Sequence, residues 1–172
     1  MHDGVWPSRK VWETCEEYSR FGVPLDFTET TIVSGRRMGP GENWGPSIPE
    51  LEKEQANEAV RFYTILFGHP AVEAITWWDF ADLGAWQGAA AGFLRKDLSP
   101  KPIYHALQKL IHEDWWTKAA LNTDASGTAR IRGFFGEYQV QVKKNGSVSP
   151  QKFIHSRKAQ ETHVQLMLQT EN

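Results

Sequence analysis

The chain has a single cysteine, Cys15, in 172 residues. No internal disulfide can form, so its stability has to come from packing and hydrogen bonding. Cys15 falls among apolar helix positions and reads as a small buried residue, with no histidine motif to make it a catalytic thiol. Basic charge is not in surplus either: 19 Lys and Arg stand against 21 Asp and Glu, a net charge of -2. That balance argues against nucleic acid as the main partner, because phosphate binding needs a basic field. No run approaches the ~20 apolar residues that cross a bilayer. The opening Met1-His2-Asp3-Gly4 lacks the basic-then-apolar pattern of an export signal and reads like the inside of a loop. The six histidines are scattered without paired ligand spacing, which disfavours a metal-dependent hydrolase, and no cofactor or metal is called for. Tryptophan, by contrast, is plentiful, at 8 residues. Its flat apolar ring suits sugar faces as well as cores, and about half of the indoles are expected inside.

Up to about residue 113 the pattern alternates between helix and strand. Pro7-Ser8 opens a helical stretch over about 9–21, with Val11, Trp12, Cys15 and Tyr18 on one face, and Gly22 ends it. A β-rich segment over 23–33 follows. Residues 34–47, rich in Gly and Pro, form a long loop of the kind that carries function. Ser47-Ile48-Pro49-Glu50 has the spacing of a capping box. The helix behind it places Ala56, Ala59, Val60, Tyr63, Leu66 and Phe67 on one stripe, and Gly68-His69-Pro70 closes it. A second strand runs over 72–80, then a Gly/Ala-rich loop to about 93. Ser99-Pro100 opens a third helix with Ile103, Leu107, Leu110 and Ile111 on its buried face. Such alternation marks parallel βα units.

The pattern changes after Trp115-Trp116. Residues 128–143 and 163–169 alternate as strands, and Asn145-Gly146 is a hairpin signal. The expected organisation is a partial barrel over 1–113 and a small antiparallel β module over 114–172. At roughly 55 residues the module is marginal as an independent fold. Its Phe134, Phe135 and Tyr138 serve equally well as a core or as a glycan platform. Lys143, Lys144, Lys152, Arg157 and Lys158 read as a solvated face.

The chemistry rests on two strand ends. Leu25-Asp26-Phe27-Thr28-Glu29 delivers a carboxylate, and the strand some fifty residues later ends in Trp77-Trp78. A carboxylate and an indole at the C-terminal ends of parallel strands suggest the rim of a (β/α) barrel built for sugar. The stretch Gly22-Val23-Pro24-Leu25-Asp26-Phe27-Thr28-Glu29, together with Trp78-Asp79-Phe80-Ala81-Asp82, Trp86 and Lys101-Pro102-Ile103-Tyr104, resembles glycoside hydrolase family 10, the endo-β-1,4-xylanases. These match, in order, the Gly-x-Pro-Leu…Thr-Glu of the family's seventh strand, the Trp-Gly-x-x-Asp of its eighth, and the Lys-Pro-x-Tyr of its last helix. Asp79 stands where the family has Gly.

The resemblance implies an α/β fold, the C-terminal portion of a TIM (β/α)8 barrel with its last two strands and flanking helices. It also implies that Glu29 is the nucleophile of a retaining two-carboxylate mechanism on a xylan-like polysaccharide. Trp78 and Trp86 would stack on sugars beside the cleaved bond, and Trp44 would line an outer subsite. The family takes its acid/base from an Asn-Glu pair after the fourth strand. The one such pair here, Asn57-Glu58, lies inside a helix and cannot serve, while His2 would be a remnant of the sixth-strand exit. The expectation is therefore an incomplete hydrolase, inactive alone, from a longer product that is secreted or periplasmic. The competing reading is a non-catalytic carbohydrate-binding protein, in which Glu29 only accepts a hydroxyl hydrogen bond.

Overall fold

The computed structural model describes residues 6–39, 43–144, 147–157 and 161–167. The chain divides into two compact units, 1–114 and 115–172.

In the first unit the elements run α1 (Ser8–Ser19), β1 (Leu25–Thr30), α2 (Pro49–Gly68), β2 (Val72–Trp77) and α3 (Pro102–Lys109), with a short 3₁₀ turn at Trp86–Gly88 and a π turn at Leu110–Asp114. Gly22 adopts φ +72°, the left-handed conformation that lets the chain leave α1 and turn into β1. The two strands pair with each other in parallel. A parallel pair needs a crossover, and α2 supplies it.

The core lies on one side of this sheet. Val11 and Cys15 of α1, Leu66 of α2 and Val72 of β2 are buried together, with Leu25, Phe27, Phe62, Ile65 and Ile75 packed against them. Burial pushes the Cys15 thiol up from its ordinary pKa, in keeping with a packing role. The helix faces differ in detail from their apolar patterns. Trp12 and Tyr18 of α1 are exposed, and Trp12 instead meets the buried His69 ring edge-on at 4.7 Å. On α2, Phe67 faces solvent, while Glu52 and Gln55 are buried. Ile111, in the π turn, is also exposed, and it lines an open cavity together with Leu107 of α3. The capping box does not form: no side chain caps α2, and Ser47 Oγ donates instead to the Glu52 carboxylate at 2.8 Å. The α3 helix begins at Pro102, later than Ser99-Pro100 suggested.

The second unit is a hairpin of β3 (Gly136–Lys144) and β4 (Ser147–His155), antiparallel with Lys144 opposite Ser147. Asn145-Gly146 lies outside the described residues. Strand structure does not extend back over 128–135, nor does it occur over 161–167. In the first of these stretches the Phe134 N–H donates to Thr117 Oγ1 instead of to a neighbouring strand, and Leu168 and Gln169 lie outside the described residues. Tyr138 stacks flat on Phe153 across the strands, with centroids 5.1 Å apart, and its hydroxyl donates to the Phe134 carbonyl at 2.5 Å. Phe135 lies against His155 at 4.8 Å. Lys143, Lys144, Lys152 and Arg157 are exposed, and Lys152 pairs with Glu137.

Candidate active site

The position of Glu29 follows from a slip in strand register. Phe27 pairs with Ile75 and Thr30 with Trp77. Between those pairs β1 advances three residues and β2 advances two, so β1 carries one extra residue, a bulge at Thr28-Glu29. Side chains alternate across a strand, and paired residues share a face. An unbroken alternation would put Glu29 on the face of Phe27, which packs against the helices. The bulge puts Thr30 there instead, and Thr30 is buried while Glu29 is exposed. A compensating slip between Val72 and Ala74 keeps Val72 and Ile75 both packed on the core.

The adjoining strand end brings Trp78 beside this bulge. Its backbone N–H donates to the Thr30 carbonyl at 3.0 Å, and its indole is 48% exposed. Trp77, one residue earlier, points the other way. Its Nε1 donates to the Ala91 carbonyl at 2.9 Å and its ring meets Phe93 at 5.1 Å. Trp86 sits in the 3₁₀ turn and is 64% exposed. Asp79 accepts the Trp86 backbone N–H at 3.2 Å and so fastens that turn. Trp44 lies in the loop between β1 and α2, half-buried with the Arg37 guanidinium 5.1 Å over its ring. A cavity of about 510 Å³ opens between β2 and α3, lined by Tyr63, Trp77, Phe93, Tyr104 and Leu107 among others. Neither Glu29 nor Trp44, Trp78 or Trp86 borders it.

Beneath the loops lies a polar cluster that residue-by-residue reading missed. Lys101 is 0% exposed and forms an ion pair with buried Asp82, Nζ to Oδ1 2.7 Å. The same ammonium donates to Ser34 Oγ at 3.1 Å and to the Ala90 carbonyl at 3.3 Å. Ser34 Oγ also lies 2.8 Å from Ser47 Oγ, and Ser47 reaches Glu52. Arg95 clamps the buried Glu52 carboxylate with two hydrogen bonds, at 2.9 and 2.5 Å. Burial pushes the Glu52 carboxyl up, but the Arg95 and Ser47 bonds and the charges of Arg95 and Lys101 outweigh it and hold the group below its ordinary pKa. Burial lowers the Lys101 ammonium, against the opposing pull of Asp82. A lysine and an aspartate inside two separate motifs, at Lys101 and Asp82, were the available signal.

Comparison with known proteins sets this geometry in context. No family model matches the chain. Among curated proteins, the anti-sigma-I factor RsgI6 of Acetivibrio thermocellus is 31% identical over 100 residues, and endo-1,4-beta-xylanase B of Thermotoga neapolitana is 30% identical over 104. These matches take in 58% and 57% of this chain but 13% and 28% of the relatives, so the chain spans well under a third of either. Among solved structures, xylanase 10B of Thermotoga petrophila in complex with xylobiose superposes with TM-score 0.51 at 22% identity, over 63% of this chain and 33% of its own. A GH10 protein from Paenibacillus barcinonensis gives 0.52 at 19%, over 64% and 34%. The chain resembles part of a family 10 xylanase barrel. At these identities the solved structures show the fold alone, and the likeness takes in about a third of each of those chains. Among the described residues no helix is long and apolar enough to cross a membrane.

Proposed function

We propose that residues 1–113 are the last two strand–helix units of a family 10 barrel, and that Glu29 is the nucleophile of a retaining xylan hydrolase. Residues 114–172 then form a separate β module. What supports this reading is the bulge, which leaves Glu29 exposed and off the helix-covered face, at the strand end where the Trp78 N–H meets the Thr30 carbonyl. A retaining enzyme needs a second carboxylic acid ~5–5.5 Å from the nucleophile to protonate the leaving oxygen. Asn57-Glu58 is not that group: it sits on α2, where Glu58 pairs with Arg61. The acid then comes from strands that the matched third does not include, and unactivated xylan is not turned over by this chain alone. The full-length protein would act where polymeric xylan occurs, secreted or in the periplasm.

The test removes the need for the acid. In a 2,4-dinitrophenyl 2-deoxy-2-fluoroxylobioside the leaving group departs as dinitrophenolate without a proton. The Glu29 carboxylate attacks the anomeric carbon, that carbon's bond to the phenolic oxygen breaks, and the fluoroglycosyl group stays on the protein as an ester. Mass spectrometry should find the adduct on the Glu29 peptide and lose it in Glu29→Gln. A label on another residue, or none at a concentration where the sugar binds, overturns the assignment.

A second reading is a carbohydrate-binding protein without hydrolysis. The match to a protein named as an anti-sigma factor favours it, because a similar region then occurs in a chain not named for hydrolysis. Binding of xylo-oligosaccharide without any Glu29 adduct is the result it expects.

A further inference from the structure

We propose that Lys101, Asp82 and Ser34 form a positioning clamp, which holds the two loops carrying Trp44, Trp78 and Trp86 in a fixed arrangement over the end of the β1–β2 sheet. The inference rests on the sugar-binding reading of those indoles, but its central observation is independent of it.

A lysine ammonium has three hydrogens to donate and no acceptor. Here it has three acceptors, each in a different place. Ser34 follows the exit of β1, Asp82 follows the exit of β2, and Ala90 lies on the return from the Trp86 turn. The lysine itself occupies the position just before α3. One side chain therefore joins two strand exits, a loop and a helix start. Backbone bonds repeat the same connection. Ser34 N–H donates to the Ala90 carbonyl at 2.9 Å, Ile48 N–H to the Ser34 carbonyl at 3.0 Å, and Lys101 N–H to the Phe93 carbonyl at 2.9 Å. Asp82 Oδ1 also accepts the buried Gly92 N–H at 2.9 Å.

Stability alone is a poor reason for this arrangement. Taking both charges from water offsets most of their attraction, and apolar replacements of buried pairs are often no less stable. What an apolar core lacks is direction. It would fill the space without fixing the Ser34 loop against the Trp86 loop. No direct contact between the Trp44 side chain and the other two indoles is needed if both loops are fastened to one ammonium.

The experiment uses the whole chain with the double substitution Asp82→Asn/Lys101→Met. Asparagine keeps an oxygen for Gly92 N–H, and methionine keeps the length of the lysine stem, so neither charge is left buried alone. Single Lys101→Met, which strands Asp82, serves as the comparison and is expected to melt lower. For the double variant the melting temperature should stay near wild type. Amide exchange at Ser34, Ile48 and Gly92 should rise together by about tenfold or more, the factor equal to roughly 1.4 kcal/mol, while amides within β1 and β2 keep their protection. Affinity for xylotetraose, followed by tryptophan fluorescence, should fall by a similar factor. Unchanged exchange, or loosening of one loop without the other, overturns the clamp. So does a general rise in exchange with a matching fall in melting temperature, which is what a merely structural pair would give. If the wild type binds no xylotetraose, the sugar reading fails, and the exchange data still judge the clamp.

Discussion

Leu66→Ala is the sharpest test of the packing that presents Glu29. Leu66 is 0% exposed and sits among Val11 and Cys15 of α1 and Val72 of β2. The substitution removes three carbons, worth about 0.8 kcal/mol each in transfer free energy, or roughly 2.4 kcal/mol. A cavity term adds to that, because α1, α2 and β2 cannot all close on the gap, so the expected loss is about 3–4 kcal/mol. Urea titration followed by intrinsic fluorescence should show the midpoint falling at unchanged slope. Exchange protection in β3 and β4, which belong to the other compact unit, should not move. A loss below about 1 kcal/mol would mean that the site can collapse or was never tightly packed, and the account of how β1 is seated would be wrong.

Three further outcomes are expected. A Cβ at Gly92 would come within 2.5 Å of the Ala81 carbonyl carbon. Gly92→Ala should therefore cost about 1–3 kcal/mol, together with faster exchange of the Asp82 and Leu94 amides, whose bonds run through the same loop. Because the folded Glu52 pKa lies below the ordinary value, its contribution is complete above about pH 4.3 and is lost as pH falls through the folded value. Acid titration of stability should show this limb, and Glu52→Gln should flatten it. Tyr138→Phe removes the hydroxyl bonds to Phe134 and Thr117, and should cost the hairpin unit about 0.5–1.5 kcal/mol while leaving the ring stack on Phe153 detectable by ring-current shifts.

Much of the first unit was legible in the residues because its pattern is local. Gly22 as a stop, Val11 and Cys15 as a buried pair, and the βα alternation all follow from short-range periodicity, and all are observed. The misreadings share a cause: the deciding partner is distant in sequence. Ser47 looked like a helix cap because Glu50 stands three residues on, but Ser34 and Glu52 offer its hydroxyl better partners. Lys101 entered the reading only as part of a Lys-Pro-x-Tyr match, and its burial depends on pairing with Asp82, nineteen residues earlier. The strand expected over 128–135 rested on alternation, but there the Phe134 N–H and carbonyl bond the Thr117 and Tyr138 hydroxyls instead of a neighbouring strand. For the site itself, a carboxylate and an indole at the ends of two paired strands could be read off, but the orientation of that carboxylate could not. Orientation depends on which residues of β2 face β1, and no residue of β1 records that alone.

The bulge at Thr28-Glu29 also decides what chain length does to the site. Without Thr28, Phe27 and Thr30 would stand two residues apart, in step with Ile75 and Trp77 on the partner strand. The acid would then follow Phe27 directly and keep the open face, so loss of that one residue is expected to straighten the strand without reversing the carboxylate. An alignment that closes a single gap at this place would still misassign the inward and outward faces of the strand it was meant to match.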